Sequence, residues 1–162
     1  MTRIVSIVGK SDAGKTTLIE KLVAELKRRG YRVATIKHDA HQFDIDHPGK
    51  DSYRHFHAGA DWTLIGSPNK LAVIRRLDRE LTLDEIAATI DGVDVILTEG
   101  YKREARCRIE VSRRDHTTEL ISRPDELLAL AADYAVDLGV PVIDLNDAVG
   151  LVDLIEREVL RR

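Results

Sequence analysis

The stretch Gly9-Lys10-Ser11-Asp12-Ala13-Gly14-Lys15-Thr16-Thr17 directly follows an apolar segment, residues 3–8, and opens a segment with helical periodicity. Its pattern is G-x-x-x-x-G-K-[ST], the phosphate-binding loop that joins a strand to a helix. Gly9 and Gly14 allow the backbone to turn tightly and to point its N–H groups at phosphate oxygens. Lys15 is placed to reach the β- and γ-phosphates, and the Thr16 hydroxyl is placed to ligate Mg²⁺. We therefore predict that residues 9–17 bind the phosphates of a nucleotide.

Length and composition are those of an ordinary globular domain. With 162 residues, 43% of them hydrophobic and 33% charged, we expect a single nucleotide-binding domain over residues 1–162. The net charge of −3 gives no electrostatic basis for binding nucleic acid. The single cysteine, Cys107, excludes an internal disulfide. We see no membrane-spanning run and no room for a signal peptide, so we expect a cytoplasmic protein.

Strand-like and helical patterns alternate along the chain, which is typical of an α/β fold with a mostly parallel central sheet flanked by helices. Two short strands around residues 66–69 predict an antiparallel hairpin, and the run 127–132 fits a strand or a helix. We expect a P-loop NTPase-type fold with the following elements: strands 3–8, 31–37, 62–65, 71–74, 93–98, 107–111, 127–132 and 140–145; helices 16–29, 51–59, 82–90 and 146–160.

Glu99 is the leading candidate for a second catalytic and metal-binding residue beside Lys15 and Thr16. It ends the most strand-like run of the chain, and side chains at the carboxyl ends of parallel strands gather at one edge of the sheet. A P-loop site usually has an acidic residue there, which holds Mg²⁺ or orients the attacking water. Gly100 would let the backbone pass close to the phosphates.

The segment 38–57 is polar and contains five of the six histidines. One interpretation is a transition-metal site, because imidazoles and carboxylates suit such metals. We favour a loop beside the nucleotide, in which His38 and Asp39 reach Mg²⁺ or the γ-phosphate. In this interpretation Gly49-Lys50-Asp51-Ser52 forms an anion site at a helix start. The first interpretation makes segment 38–57 a metal site, and the second places it beside the phosphates of the nucleotide.

Two further features leave alternatives open. Lys10 either crosses to the nucleotide of a partner subunit, as in one class of dimeric P-loop proteins, or is a solvated loop lysine.

The sequence specifies the base of the nucleotide poorly, because no N-K-x-D guanine motif occurs. Asp144-Leu145-Asn146-Asp147 follows the last strand, and a carboxylate there could contact a purine, although Asn146 or Asp147 could instead cap the last helix.

These blocks together resemble the MobB family of molybdopterin-guanine dinucleotide biosynthesis proteins. The resemblance rests on residues 9–17 and on Asp44-Ile45-Asp46-His47-Pro48-Gly49-Lys50-Asp51-Ser52, with Glu99-Gly100-Tyr101-Lys102 and Asp144-Leu145-Asn146-Asp147. It implies a homodimeric protein that binds GTP and Mg²⁺, has weak GTPase activity, and assists the guanylyltransferase that joins GMP to molybdopterin. It also implies a family-specific surface at Lys50, Asp51, Ser52 and Arg54, and leaves contact with molybdopterin itself open.

Two other functions use the same scaffold. A small-molecule kinase would need an acceptor pocket and a lid of arginines, and no insertion long enough for a lid occurs. A nucleotide-gated metallochaperone would use the histidines of 38–57. No residue in the sequence stands out as an arginine finger or as a glutamine that orients water, so we expect slow hydrolysis.

Overall fold

The computed structural model describes residues 3–39 and 43–160; residues 40–42 of the predicted loop lie outside this range. The chain divides into two compact units, one formed by residues 1–38 and 83–162 and the other by residues 39–82. The single domain over residues 1–162 stays a prediction.

The larger unit contains a six-stranded, entirely parallel sheet. Its strands are β1 Ile4–Val8, β2 Val33–Lys37, β5 Val95–Glu99, β6 Arg108–Ser112, β7 Leu127–Ala132 and β8 Val142–Asp144. Their order in the sheet is β2-β5-β1-β6-β7-β8. The segment that fitted either strand or helix, 127–132, is a strand because it pairs with β6 on one side and β8 on the other.

Helix α1, Lys15–Arg28, begins directly after the phosphate loop and ends as the sequence predicts. Gly30 has a φ of 88°. Its N–H donates to the Lys27 carbonyl, and the N–H of Tyr31 donates to the Leu26 carbonyl. This pair of bonds is the Schellman arrangement, which requires a left-handed residue after the helix and explains why a glycine ends it.

Helices cover both faces of the sheet, so its buried strands are apolar on both sides. Val5, Ile7 and Leu97 pack against α1 and the closing helix α4, Ala148–Ile155. Ile4 and Ile96 pack in a second cluster with Leu83 and Tyr101. The alternation along β1 is the two-residue period of a strand. Since β1 lies in the middle of this core, the loop that follows it starts from a rigid base.

The helical predictions need one correction. Helix α3 spans only Leu83–Ala87, whereas 82–90 was expected. The N–H groups of Thr89 and Ile90 donate to carbonyls three residues earlier, so the helix tightens and stops. The Thr89 hydroxyl also donates to the Ile86 carbonyl, which competes with helical bonding. The closing helix is confirmed, with α4 followed by a π-helical turn, Glu156–Leu160.

The smaller unit contains helix α2, Asp51–His57, and an antiparallel hairpin of β3, Trp62–Ser67, with β4, Lys70–Arg75. The Arg76 guanidinium lies 4.4 Å from the centre of the Phe56 ring and donates to the Phe56 carbonyl, which ties the hairpin to α2. In the described part of the chain, no helix combines the length and the apolar character needed to cross a membrane.

Candidate nucleotide-binding site

The phosphate loop leaves β1 at Gly9, where only glycine fits. The φ of Gly9 is 145°. A Cβ atom at this position would lie 2.7 Å from the carbonyl oxygen of Val111 on the adjacent strand β6. Gly14, with a φ of 101°, ends the loop immediately before α1. The two glycines of the motif therefore both sit at backbone positions with positive φ, and between them Asp12, a residue type that tolerates the left-handed region, has a φ of 58°.

Lys15 is the first residue of α1, and its ammonium lies inside the loop. The Nζ atom donates to the Lys10 carbonyl oxygen at 2.8 Å. Burial, the largest effect, lowers the pKa of Lys15 below its usual value, although the nearby Glu99 carboxylate opposes that shift. Burial disfavours the charged form of an amine, and a phosphate placed beside this ammonium would favour it again.

Thr16 and Glu99 meet at the end of the central strands. The Thr16 hydroxyl lies 3.0 Å and 3.1 Å from the two carboxylate oxygens of Glu99. The contact follows from topology, because β1 and β5 are neighbouring parallel strands in which Ile7 lies beside Glu99. A hydroxyl and a carboxylate are oxygen ligands of the kind that Mg²⁺ takes from proteins, so this pair fits the metal predicted from sequence.

His38 and Gly100 close the site on the side of β2. The backbone N–H of His38 donates to the backbone carbonyl oxygen of Glu99, with an N···O distance of 2.9 Å. The centre of the His38 ring lies 4.7 Å from the centre of the Tyr101 ring. Gly100 has a φ of 91°, and a Cβ there would lie 3.2 Å from the His38 Cβ. The glycine therefore lets the two strand ends approach one another.

Most of the predicted site residues in the larger unit line one open cavity of about 550 Å³. Those residues are Ser11, Asp12, Gly14, Lys15, Thr16, Thr17, His38, Glu99 and Gly100.

The other predicted residues have different positions. Gly9 packs against β6, and the Ala13 side chain is buried in the core. The Lys10 side chain forms an ion pair with Glu119 of the same chain, as a loop lysine can. Asp39 and Lys50 belong to the smaller unit, and their part in binding stays a prediction.

Two basic residues, Lys37 and Arg113, also line the cavity. Both lie at the carboxyl end of a strand, Lys37 as the last residue of β2 and Arg113 directly after β6. The rule that ligand groups gather at these strand ends applies to both. Arg113 was missed because the basic pair that it forms with Arg114 has no motif around it.

Comparison with known proteins identifies the family. The family model described as molybdopterin guanine dinucleotide synthesis protein B matches residues 4–133. The chain belongs to the MobB family. It is 36% identical over 161 residues to a molybdopterin-guanine dinucleotide biosynthesis adapter protein of Escherichia coli, covering 96% of this chain and 92% of that one. A protein with the same description in Haemophilus influenzae is 34% identical over 155 residues, covering 94% and 87%.

Solved structures agree with this membership. A crystal structure of molybdopterin-guanine biosynthesis protein B has a TM-score of 0.75 at 32% identity, covering 95% of this chain and 98% of that one. The crystal structure of Bacillus subtilis MobB has a TM-score of 0.76 at 27% identity, covering 97% and 98%. The resemblance seen in the sequence and the predicted P-loop α/β fold are both confirmed.

Proposed function

We propose that the protein is a GTP-binding adapter in molybdopterin-guanine dinucleotide biosynthesis, which binds GTP with Mg²⁺ and hydrolyses it slowly while assisting the guanylyltransferase. Membership of the MobB family supports the pathway, since its relatives are described as adapter proteins of that biosynthesis. The proposal that the protein binds a nucleotide rests on one observation: Lys15, Thr16 and Glu99 line the same cavity.

Each of these three groups has one role in the proposal. Lys15 exchanges its bond with the Lys10 carbonyl for a bond to phosphate oxygens, which relieves the cost of burying its charge. Thr16 and Glu99 would hold Mg²⁺, which when bound would neutralise charge on the β- and γ-phosphates.

The preference for guanine is supported by the position of a second cavity. It has a volume of about 380 Å³, lies at the carboxyl ends of β7 and β8, and includes Asp133, Tyr134 and Asp144 in its lining. Two strand spacings, roughly 10 Å, separate β1 from β7, so a nucleotide held by the phosphate loop can extend its base in that direction. Carboxylates accept hydrogen bonds from N–H groups, which guanine has at N1 and N2 and adenine lacks at those two positions.

The polar residues between β8 and α4, in the range 144–147, make different hydrogen bonds. The Asp147 side chain caps α4 by accepting from the Gly150 N–H at 2.8 Å. The Asn146 side chain accepts from Lys21 at 2.7 Å. Asp144 accepts from the Asn146 N–H through Oδ1. Of these two aspartates, each of which already accepts one backbone hydrogen bond, Asp144 is the better candidate for a base contact, because it lines the second cavity and Asp147 does not.

The proposed assembly is a homodimer. One face of the β3–β4 hairpin carries a set of apolar side chains that are about half exposed or more: Trp62, Leu64, Leu71 and Val73. Contiguous exposed apolar surface of this kind marks interaction sites. We assign it to a second copy of the chain, because soluble oligomers are mostly homo-oligomers with self-complementary interfaces.

The metallochaperone and the kinase stay alternatives. Among residues 3–39 and 43–160, no group of three or more His, Cys, Asp or Glu side chains is arranged to hold a metal ion. We retain contact with molybdopterin and a cytoplasmic location as predictions.

The adapter role can be tested by reconstitution. Purified guanylyltransferase, molybdopterin, Mg²⁺ and GTP are combined with the wild-type protein or with Lys15→Ala, and formation of the guanine dinucleotide is followed. We expect stimulation by the wild type and little or none by the variant. Equal stimulation by both would show that assistance does not depend on the nucleotide site, and no stimulation by the wild type would contradict the adapter role.

A further inference from the structure

The segment between β6 and β7, residues 113–123, is attached to the phosphate loop. We call it the β6–β7 loop. Its His116 ring nitrogen Nε2 lies 2.7 Å from the Ser11 carbonyl oxygen, and its Glu119 carboxylate forms an ion pair with Lys10. Two separate side chains of this loop therefore contact the backbone or side chains of residues 9–14.

The β6–β7 loop is also held firmly at its own ends. Glu110, which is buried in β6, accepts from the N–H groups of Ile121 and Ser122 at 2.7 Å and 2.9 Å. The Ser112 hydroxyl donates to the Thr117 carbonyl at 2.8 Å. Buried carboxylates paired in this way fix the backbone around them. The loop is thus a defined structural part of the site.

Arg113, the first residue of this loop, faces the phosphate cavity. Its Cδ lies 3.9 Å from the position that a Cβ of Gly14 would occupy. Its guanidinium makes a two-pronged contact with Asp115, with distances of 3.2 Å from Nε to Oδ1 and 3.1 Å from Nη2 to Oδ2. The Arg113 side chain is 38% exposed, so it can leave Asp115 without breaking a packed core.

A guanidinium in this position suits a phosphate. Its planar set of N–H donors matches phosphate oxygens as well as it matches a carboxylate. Lys15 and Lys37 also line the cavity, but an ammonium acts as a point charge and does not make the two-pronged contact.

We propose that Arg113 binds the terminal phosphate of the nucleoside triphosphate from within the same chain, in competition with Asp115. This inference rests on the proposed function, since it needs a nucleotide at the phosphate loop. Because the β6–β7 loop carries both the arginine and its competing carboxylate, the Arg113–Asp115 contact is kept or lost according to whether a γ-phosphate is bound.

The test is the ratio of two affinities, those for GTPγS and for GDP, measured by titration calorimetry with Mg²⁺. Loss of a charge-assisted contact to the γ-phosphate in Arg113→Ala should lower this ratio about tenfold or more, while the GDP affinity changes little. Arg113→Lys should restore part of the ratio. Asp115→Asn should raise the ratio, because a neutral amide competes less for the guanidinium.

Arg123→Ala is the matched control. Arg123 belongs to the same loop and makes the same kind of two-pronged contact with an aspartate two residues later, Asp125. It is exposed and does not line the phosphate cavity. We expect Arg123→Ala to have the same ratio of GTPγS affinity to GDP affinity as the wild type.

The two proposals fail in different ways. If the wild type binds neither ligand, the proposed function fails. If the wild type binds both ligands and Arg113→Ala keeps the wild-type ratio, the inference about Arg113 alone is overturned. An unchanged ratio in Asp115→Asn would contradict the competition between Asp115 and the phosphate.

Discussion

Replacement of Gly9 by alanine should destabilise the protein more than the same change at another glycine with positive φ. At Gly9 two costs add. The positive φ of 145° costs a residue with a Cβ on the order of 1–3 kcal/mol. The new methyl group would also lie 2.7 Å from the backbone oxygen of Val111, and forcing extra atoms into a packed position costs about 1–3 kcal/mol more.

Gly30 provides the matched control. Its φ of 88° carries a similar backbone cost, but a Cβ there would meet nothing within 4 Å. We expect Gly30→Ala to cost about 1–2 kcal/mol and Gly9→Ala about 2–6 kcal/mol in free energy of unfolding. For a chain of this size, each kcal/mol lowers the melting temperature by roughly 2–4 °C.

Thermal unfolding followed by circular dichroism measures both variants, and calorimetry measures their affinity for GTP. Gly9→Ala should have the lower melting temperature and should lose GTP binding, because the β1 end of the phosphate loop must move away from β6. Gly30→Ala should bind as the wild type does. Equal melting temperatures for the two variants would refute the argument that contact with Val111 restricts position 9.

Three other changes test separate parts of the account. Glu99→Gln should retain GTP binding but lose Mg²⁺-dependent hydrolysis, and unchanged turnover in a phosphate-release assay would remove Glu99 from the mechanism. Hydrogen bonds from Arg28 and Arg29 lower the pKa of Glu25 to about 2. Because the folded-state pKa lies below the unfolded value, the ionised Glu25 carboxylate stabilises the folded protein above about pH 5, and this stabilisation is lost as the pH falls toward 2. The difference in melting temperature between wild type and Glu25→Gln should therefore shrink over that range, and a difference independent of pH would contradict the assignment. Leu64→Lys should convert the proposed homodimer to a monomer in light scattering; a dimer that persists in the variant would place the interface elsewhere, and a monomeric wild type would contradict the proposed homodimer.

The sequence was sufficient for the parts of the fold that local patterns determine. The phosphate loop, the strand before it, the helix after it and the end of that helix at Gly30 depend on neighbouring residues, and all were predicted. The short extent of α3 was not predicted, because the competing bonds of Thr89 and the tightened last turn are details of geometry that apolar periodicity does not reveal.

The site was predictable where a motif or a strand end marked the residue. Lys15 and Thr16 belong to the motif, and Glu99 ends the buried strand β5. Arg113 follows the strand β6 but belongs to no motif, and its approach to Gly14 depends on how the β6–β7 loop folds back on the phosphate loop. Such a contact between residues about a hundred positions apart is set by tertiary structure alone.

The most direct test of the central claim is calorimetric titration of the protein with GTP and with ATP, each in the presence of Mg²⁺, with Lys15→Ala as the control. The account predicts that the wild type binds GTP more tightly than ATP and that Lys15→Ala binds neither. Equal or tighter binding of ATP would contradict the guanine assignment and favour the kinase alternative. Tight GTP binding by Lys15→Ala would contradict the placement of the nucleotide at the phosphate loop.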